Sequence, residues 1–201
     1  MFRIAMVGCL LAGSAYAQFP VSVGVKGGVA LTDAFESSSF LSGDFYPIGE
    51  VTIRYYSPSK DYLVGPFVEL RLPFNLSVEA DALYRKLNFA SVQTGVTTPF
   101  RDDDNTWEFP ILAKYRFKLP VARPYVDAGP SFRTSAFNAY GTSLSNHGFA
   151  AGAGVDIKAL LLHVSPEVRY TRWGADFIPG YQLTSPHSNV NQVEFLVGIA
   201  F

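Results

Sequence analysis

The sequence predicts an all-β chain: an eight-stranded, antiparallel, up-and-down transmembrane barrel with a polar, charge-filled interior. Three observations carry that prediction. Eight segments of about 9 to 13 residues alternate apolar and polar side chains with period two, near the roughly 9–11 residues that a tilted strand needs to cross a bilayer. The connectors between them alternate between short turns and long polar loops. Within each segment the charges keep to one face and leave the other apolar.

The first segment runs from about Phe19 to Leu31, with Val21, Val23, Val25, Val29 and Leu31 opposite Ser22, Gly24, Lys26, Gly28 and Ala30. The second, Tyr62 to Leu72, sets Val64, Val68 and Leu70 against Gly65, Glu69 and Arg71. After a tight Pro73-Phe74-Asn75 turn, the third sets Leu76, Val78, Ala80, Ala82 and Tyr84 against Ser77, Glu79, Asp81 and Arg85. The fourth, Thr106 to Phe117, sets Trp107, Phe109, Ile111, Ala113, Tyr115 and Phe117 against Glu108, Lys114 and Arg116.

The fifth, Pro124 to Thr134, opposes Val126, Ala128 and Phe132 to Asp127, Gly129, Ser131 and Arg133. The sixth, Gly148 to Ile157, opposes Phe149, Ala151, Ala153, Val155 and Ile157 to Gly152, Gly154 and Asp156. The seventh, Leu161 to Arg172, opposes Leu162, Val164, Val168 and Tyr170 to His163, Ser165, Glu167, Arg169 and Thr171. The eighth, Asn191 to Phe201, has Val193, Phe195, Val197, Ile199 and Phe201 on one face. Glu194, Gly198 and Ala200 share the other, with Leu196 as its apolar exception. An apolar face ending in a C-terminal aromatic suits a wall between lipid and a polar interior, and Phe195, Val197, Ile199 and Phe201 are expected to act as the assembly signal.

Short turns lie at 73–75, 118–123 and 158–160, and longer loops at 32–61, 86–105, 135–147 and 173–190. An even strand number puts both termini at the short-turn, periplasmic end. Residues Glu50 to Tyr56 also alternate, so the first loop is expected to extend a hairpin above the membrane.

Turning the polar face inward gathers Glu69, Glu79, Asp81, Glu108, Asp127, Asp156, Glu167 and Glu194 inside the barrel. Lys26, Arg71, Arg85, Lys114, Arg116, Arg133, Lys158 and Arg169 point the same way, eight bases against eight acids. An unpaired buried ion costs several kcal/mol, so these charges are expected to pair in a narrow lumen that side chains can fill. A soluble lipocalin-type barrel would reverse the polarity. Tyr84, Trp107, Phe149 and Tyr170 fall near the outer strand ends, and Phe19, Phe117, Tyr125 and Phe201 near the periplasmic ends, as two interfacial belts. Pro66, Pro110, Pro130 and Pro166 lie inside strands, where bulges or extension beyond the hydrogen-bonded band would absorb them.

The first 17 residues read as a secretory signal peptide. Arg3 opens it, Ile4 to Ala12 form a short apolar core, and Ala15-Tyr16-Ala17 is a small-x-small cleavage site. Cleavage leaves Gln18 as the first residue of a single barrel domain, 18–201, and removes Cys9, so no disulfide or cysteine-based site is expected. The net charge of −1 gives no electrostatic footprint for nucleic acid. His147, His163 and His187 are scattered, so no metal site or cofactor is expected.

On these residues, and on segments such as Val64 to Pro73, Trp107 to Pro110, Tyr125 to Pro130 and Pro166 to Trp173, the chain resembles the small bacterial outer-membrane β-barrel family. This is the eight-stranded class that includes OmpA-type and OmpX-type barrels. The resemblance covers the whole mature chain and implies a fold and an outer-membrane location, but no single shared activity.

Two constellations invite a chemical reading. His163, Ser165 and Glu167 share a strand face, superficially similar to the His-x-Ser pair of lipid A deacylase barrels, but here the group faces inward, beside the periplasmic turn. An interior polar network including Arg169 is the expected role. Arg101-Asp102-Asp103-Asp104 in an outer loop has the makings of a site for a divalent cation that bridges lipopolysaccharide phosphates, but a solvated loop tip is the expected role. The function expected is structural or adhesive, through the outer loops of a monomer held in outer-membrane lipid and inserted by the barrel-assembly machinery. A lipid-modifying enzyme and a narrow channel are the alternatives.

Overall fold

Period-two alternation becomes β-strand along most of the chain. The computed structural model describes residues 20–33, 38–45, 49–56, 60–93, 100–119, 122–134, 145–159, 162–174 and 189–200, with only the backbone path at 38–45, 49–56, 88, 89, 91, 100–104 and 159. The signal peptide, Phe19 and Phe201 lie outside the described residues.

Eleven strands follow in order: β1 (Val21–Ala30), β2 (Ser38–Phe45), β3 (Gly49–Tyr56), β4 (Tyr62–Arg71), β5 (Leu76–Asp81), β6 (Leu83–Gln93), β7 (Phe100–Arg116), β8 (Ala122–Arg133), β9 (His147–Ala159), β10 (Leu162–Trp173) and β11 (Asn191–Ala200). Neighbouring strands pair antiparallel, and β1 closes the sheet by pairing with both β4 (Gly27 opposite Val64) and β11 (Gly27 opposite Val197). Closure removes the open edges that would leave backbone groups unpaired in lipid. Because β5 and β6 form one interrupted stave, the closed barrel has eight staves. The β2–β3 hairpin continues the sheet beyond the barrel by pairing β3 with β6, Tyr55 opposite Ser91.

The prolines explain the interruption. On β4 the pairs Phe67–Asp81 and Val64–Tyr84 keep one register across the gap at Ala82, and on β7 the pairs Ala80–Ile111 and Leu83–Glu108 do likewise. Pro66 lies on one side of this gap and Pro110 on the other, each lacking the donor the ladder needs. Pairing likewise skips between Pro110–Ser131 and Ala113–Ala128, beside Pro130, and between Val164–Ile157 and Glu167–Gly154, beside Pro166. The register is the same before and after each skip, so omitted ladder bonds, not the expected bulges, accommodate the prolines.

Two glycines complete the device. Gly65 precedes Pro66 and Gly129 precedes Pro130, and a Cβ at either would run into the carbonyl oxygen of Ala82 or Ile111. These are the carbonyls that face the missing proline donor, and each turns toward the hydrogen-only glycine Cα instead. Gly65→Ala and Gly129→Ala should each cost about 1–3 kcal/mol, the usual penalty for overfilling a packed site. Urea unfolding in detergent checks this; an unchanged midpoint in both variants would refute it.

Several sequence expectations change here. Residues 86–105, read as a loop, are mostly strand: β6 runs to Gln93 and β7 begins at Phe100, because their backbones pair from Leu83–Glu108 up to Ser91–Phe100. Tyr125 is not part of an aromatic belt; its position on β8 has the inward parity of Asp127, and it is buried in the lumen. Lys158 keeps an inward parity but is exposed at the mouth, outside the buried network. Of the outer-belt aromatics, Tyr84 lies edge-on to Trp107 at 5.6 Å, and Trp107 stacks on Phe109 at 6.5 Å.

Candidate functional site

The barrel wall sorts side chains as alternation dictates. Val23, Val64, Val68, Ile111, Phe132, Val168, Phe195 and Ile199 point outward and are exposed. Arg85, Arg169, Lys26, Lys114, Glu79 and Glu167 point inward and are fully buried. In water, so broad an apolar skin would drive aggregation; against acyl chains it is the matching surface. No helix among the described residues is long and apolar enough to cross a membrane.

The interior charges form three groups along the lumen. In the central group, Lys26 Nζ on β1 donates to Glu79 at 2.5 Å, Glu167 at 3.1 Å and Asp81 at 3.3 Å. Lys114 Nζ donates to the other Glu79 oxygen at 2.5 Å and lies 3.9 Å from Asp127. Arg169 donates to Glu167 at 2.7 Å and Asp81 at 2.8 Å. Tyr125 sits under this group, its hydroxyl donating to Glu167 at 3.1 Å and its ring facing Lys114 at 4.2 Å. A carboxylate bridged by two ammonium groups from different staves ties the wall together across the lumen.

The carboxylates of Glu79, Asp127 and Glu167 approach within 4.8 Å of one another. Such a triad has the spacing of a metal cage, but Lys26 links Glu79 to Glu167 and Lys114 links Glu79 to Asp127, so ammonium groups already supply the positive charge. The group holds four carboxylates (Glu79, Asp81, Asp127, Glu167) and three cations (Lys26, Lys114, Arg169), and Asp127 accepts no hydrogen bond among the described residues. Asp127→Asn should therefore leave stability within about 1 kcal/mol of the parent, whereas Glu79→Gln, which frees two buried ammoniums, should cost about 3–5 kcal/mol. Equal losses in the two variants would contradict this charge count.

In the outer group, Arg85 is the hub. Its guanidinium donates to Gln192 at 2.6 Å, Glu194 at 3.0 Å, Glu108 at 3.1 Å and Asp61 at 3.2 Å. Trp173 donates its indole N–H to Gln192 at 2.9 Å, and Arg133 lies 4.2 Å over the Trp173 ring while donating to the Ser145 carbonyl at 2.6 Å. At the short-turn end, Arg116 donates to Glu69 at 2.6 Å, Ser77 at 2.8 Å and Asp156 at 3.1 Å. Arg71 lies only 3.6 Å from Glu69 and is half-exposed, so it belongs to the mouth more than to the buried network.

Asp61 and Tyr125 are the residues sequence reading missed. Asp61 sits in what reads as a loop, yet it is buried against Arg85. Extending the β4 alternation back by one residue would have found it, since Asp61 shares parity with Leu63 and Gly65. An apolar group of Ala30, Leu63, Leu83 and Leu196 also sits inside, which explains why Leu196 breaks the pattern of its strand.

The supposed hydrolytic pair is engaged elsewhere. His163 Nδ1 lies 3.6 Å from Asp156, and Ser165 Oγ donates to the Gly198 carbonyl at 3.4 Å. Glu167 is held by Lys26, Arg169 and Tyr125. Among the described residues the Ser165 hydroxyl bonds a backbone carbonyl and no base, so His163, Ser165 and Glu167 are not arranged as a nucleophile–base–acid chain. The backbone of Arg101 to Asp104 lies in β7, and the side chains of that acidic run lie outside the described residues.

An ionic lumen inside an apolar wall is the polarity of a membrane barrel, and comparison with known proteins agrees. The family model of the outer membrane protein β-barrel domain matches residues 3–201. The chain belongs to that family. Among solved structures, this family member is similar to Neisserial surface protein A, at 17% identity and TM-score 0.54, covering 90% of this chain and 96% of that one. It is also similar to the outer membrane protein OprG from Pseudomonas aeruginosa, at 16% identity and TM-score 0.55, covering 90% and 95%. At that identity the likeness is one of fold. No curated protein matches the sequence.

Proposed function

We propose that this outer-membrane barrel is a monomer with a structural or surface-interaction role, carried by its outer loops, and that it has no enzymatic site. The observation that favours this reading is where the chain puts its extra structure. The β2–β3 hairpin and the extended β6–β7 pair continue the sheet past the barrel at the long-loop end, while the lumen below is lined by buried, paired ions. A sheet that continues past the barrel at the loop end suits contact with other surfaces or stabilisation of the envelope.

Outer-membrane lipid is the solvent of the apolar wall, and the barrel-assembly machinery is the partner expected during insertion. Loop-by-loop deletion at the long-loop end, scored for envelope integrity and surface binding, tests the role directly. Loss of either phenotype on removing one loop would support it. Two further outcomes separate the alternatives. His163→Ala and Ser165→Ala should leave the lipid A mass profile unchanged; a lipid A modification present in the parent and lost in Ser165→Ala would establish an enzyme. In planar bilayers the protein should show little steady conductance, and ion-selective steps altered in Glu79→Gln would establish a channel.

A further inference from the structure

The short-turn end holds a cavity of about 650 Å³ between two adjacent turns, the one joining β4 to β5 and the one joining β7 to β8. It is lined from both faces of the wall. Arg116, Asp156 and His163 come from the lumen face, whereas Leu76 and Phe117 come from the lipid face. A cavity lined in this way runs over the rim of the barrel, from the membrane surface into the mouth.

Its charge is unbalanced. Arg71, Arg116, Lys118 and Arg123 line it, and the acids beside them are Asp156 and Glu69. Arg116 takes up both carboxylates with short hydrogen bonds. Lys118 and Arg123 are exposed, and their side chains carry no hydrogen bond or ion pair among the described residues. Beside these cations stand Leu119 and Phe74, the latter 86% exposed and held outward by a left-handed backbone (φ 63°), a conformation that a bulky residue adopts only under constraint.

We propose that this notch binds the phosphate headgroup of an anionic phospholipid in the periplasmic leaflet. Lys118 and Arg123, with Arg71 behind them, supply the counter-charge. Leu76, Phe117, Leu119 and Phe74 cover the first carbons of the acyl chains. A free phosphate would use the cations but have no need of the apolar rim, and the volume is that of a small-molecule site rather than of a single anion. The site lies at the opposite end from the loops invoked above, so it stands or falls independently of them.

The test uses the full-length, folded protein, delipidated in detergent and offered equal amounts of phosphatidylglycerol and phosphatidylethanolamine, with bound lipid read by native mass spectrometry. Phosphatidylglycerol should be retained preferentially. The double variant Lys118→Gln/Arg123→Gln should lose about thirtyfold in that retention, the order expected for two cations at an anionic lipid surface. Unchanged heat-dependent gel mobility would show that the variant still folds, and Arg123→Gln alone, at an unpaired exposed site, serves as a second variant. Lys158→Gln, exposed at the same end but outside the cavity, should have no effect. Leu119→Ser should weaken lipid binding and leave binding of inorganic phosphate unchanged. Equal retention of the two lipids, or a double variant that binds like the parent, would overturn the proposal. So would a Leu119→Ser variant with undiminished phosphatidylglycerol binding, which would mark a site for free anions.

Discussion

Arg85→Met should lower the stability of the folded barrel by about 3–5 kcal/mol, the cost of removing one partner from a buried ionic group. Arg85 is the hub for three buried carboxylates, Asp61, Glu108 and Glu194, and for the Gln192 side-chain oxygen. Methionine fills much of its volume but leaves three buried negative charges facing one another. Arg85→Lys should fall between, because a single ammonium keeps the charge and loses the planar fork that reaches several acceptors at once. Urea unfolding in lipid vesicles gives the midpoint, and the temperature at which the compact gel band converts to the unfolded one gives a second reading. A shift under about 1 kcal/mol for Arg85→Met would mean that the surrounding acids are not charged as the geometry implies.

Phe195→Arg should impair membrane insertion by about 2–4 kcal/mol, the cost of a basic side chain on the lipid face near the bilayer midplane. Phe195 lies in the middle of β11, points outward, and is flanked in register by Val168 on β10 and Val29 on β1, both exposed on the same apolar skin. Neither in-register neighbour carries an acid to pair with the new charge. Phe195→Ala at the same position removes only contact area and should be far milder. Folding equilibria in vesicles and the level of protein in the membrane fraction read the effect. Equal behaviour of the arginine and alanine variants would show that this face does not meet lipid.

Much of the fold is legible in the residues because a barrel wall has one rule, the alternation of faces. The same rule, applied more strictly, would have corrected two readings. Tyr125 shares parity with Asp127, which places it in the lumen, although an aromatic near a strand end has the composition of a belt residue. Asp61 shares parity with Leu63, but a charged residue before a strand reads naturally as loop. The extension of β6 and β7 through residues 86–105 was harder, since Asn88, Ser91, Gln93 and the run Arg101 to Asn105 give the segment no clear apolar face.

What the sequence determined by itself is which side of the wall each residue occupies, because pleating assigns faces from position alone. It thereby determined the polarity of the barrel, with the apolar skin outward and Glu69, Glu79, Asp81, Arg85, Lys114, Arg116, Glu167, Arg169 and Glu194 turned inward. Only the tertiary structure decided which charges meet. Lys26 reaches Glu79, Asp81 and Glu167 across separations of 53, 55 and 141 residues, and those encounters depend on the stagger between staves as the sheet closes. Closure also decided how the prolines are tolerated and where the short turns open a basic notch, since both depend on what neighbouring staves place opposite. Alternation is a property of one strand, whereas pairing across a lumen is a property of the closed sheet.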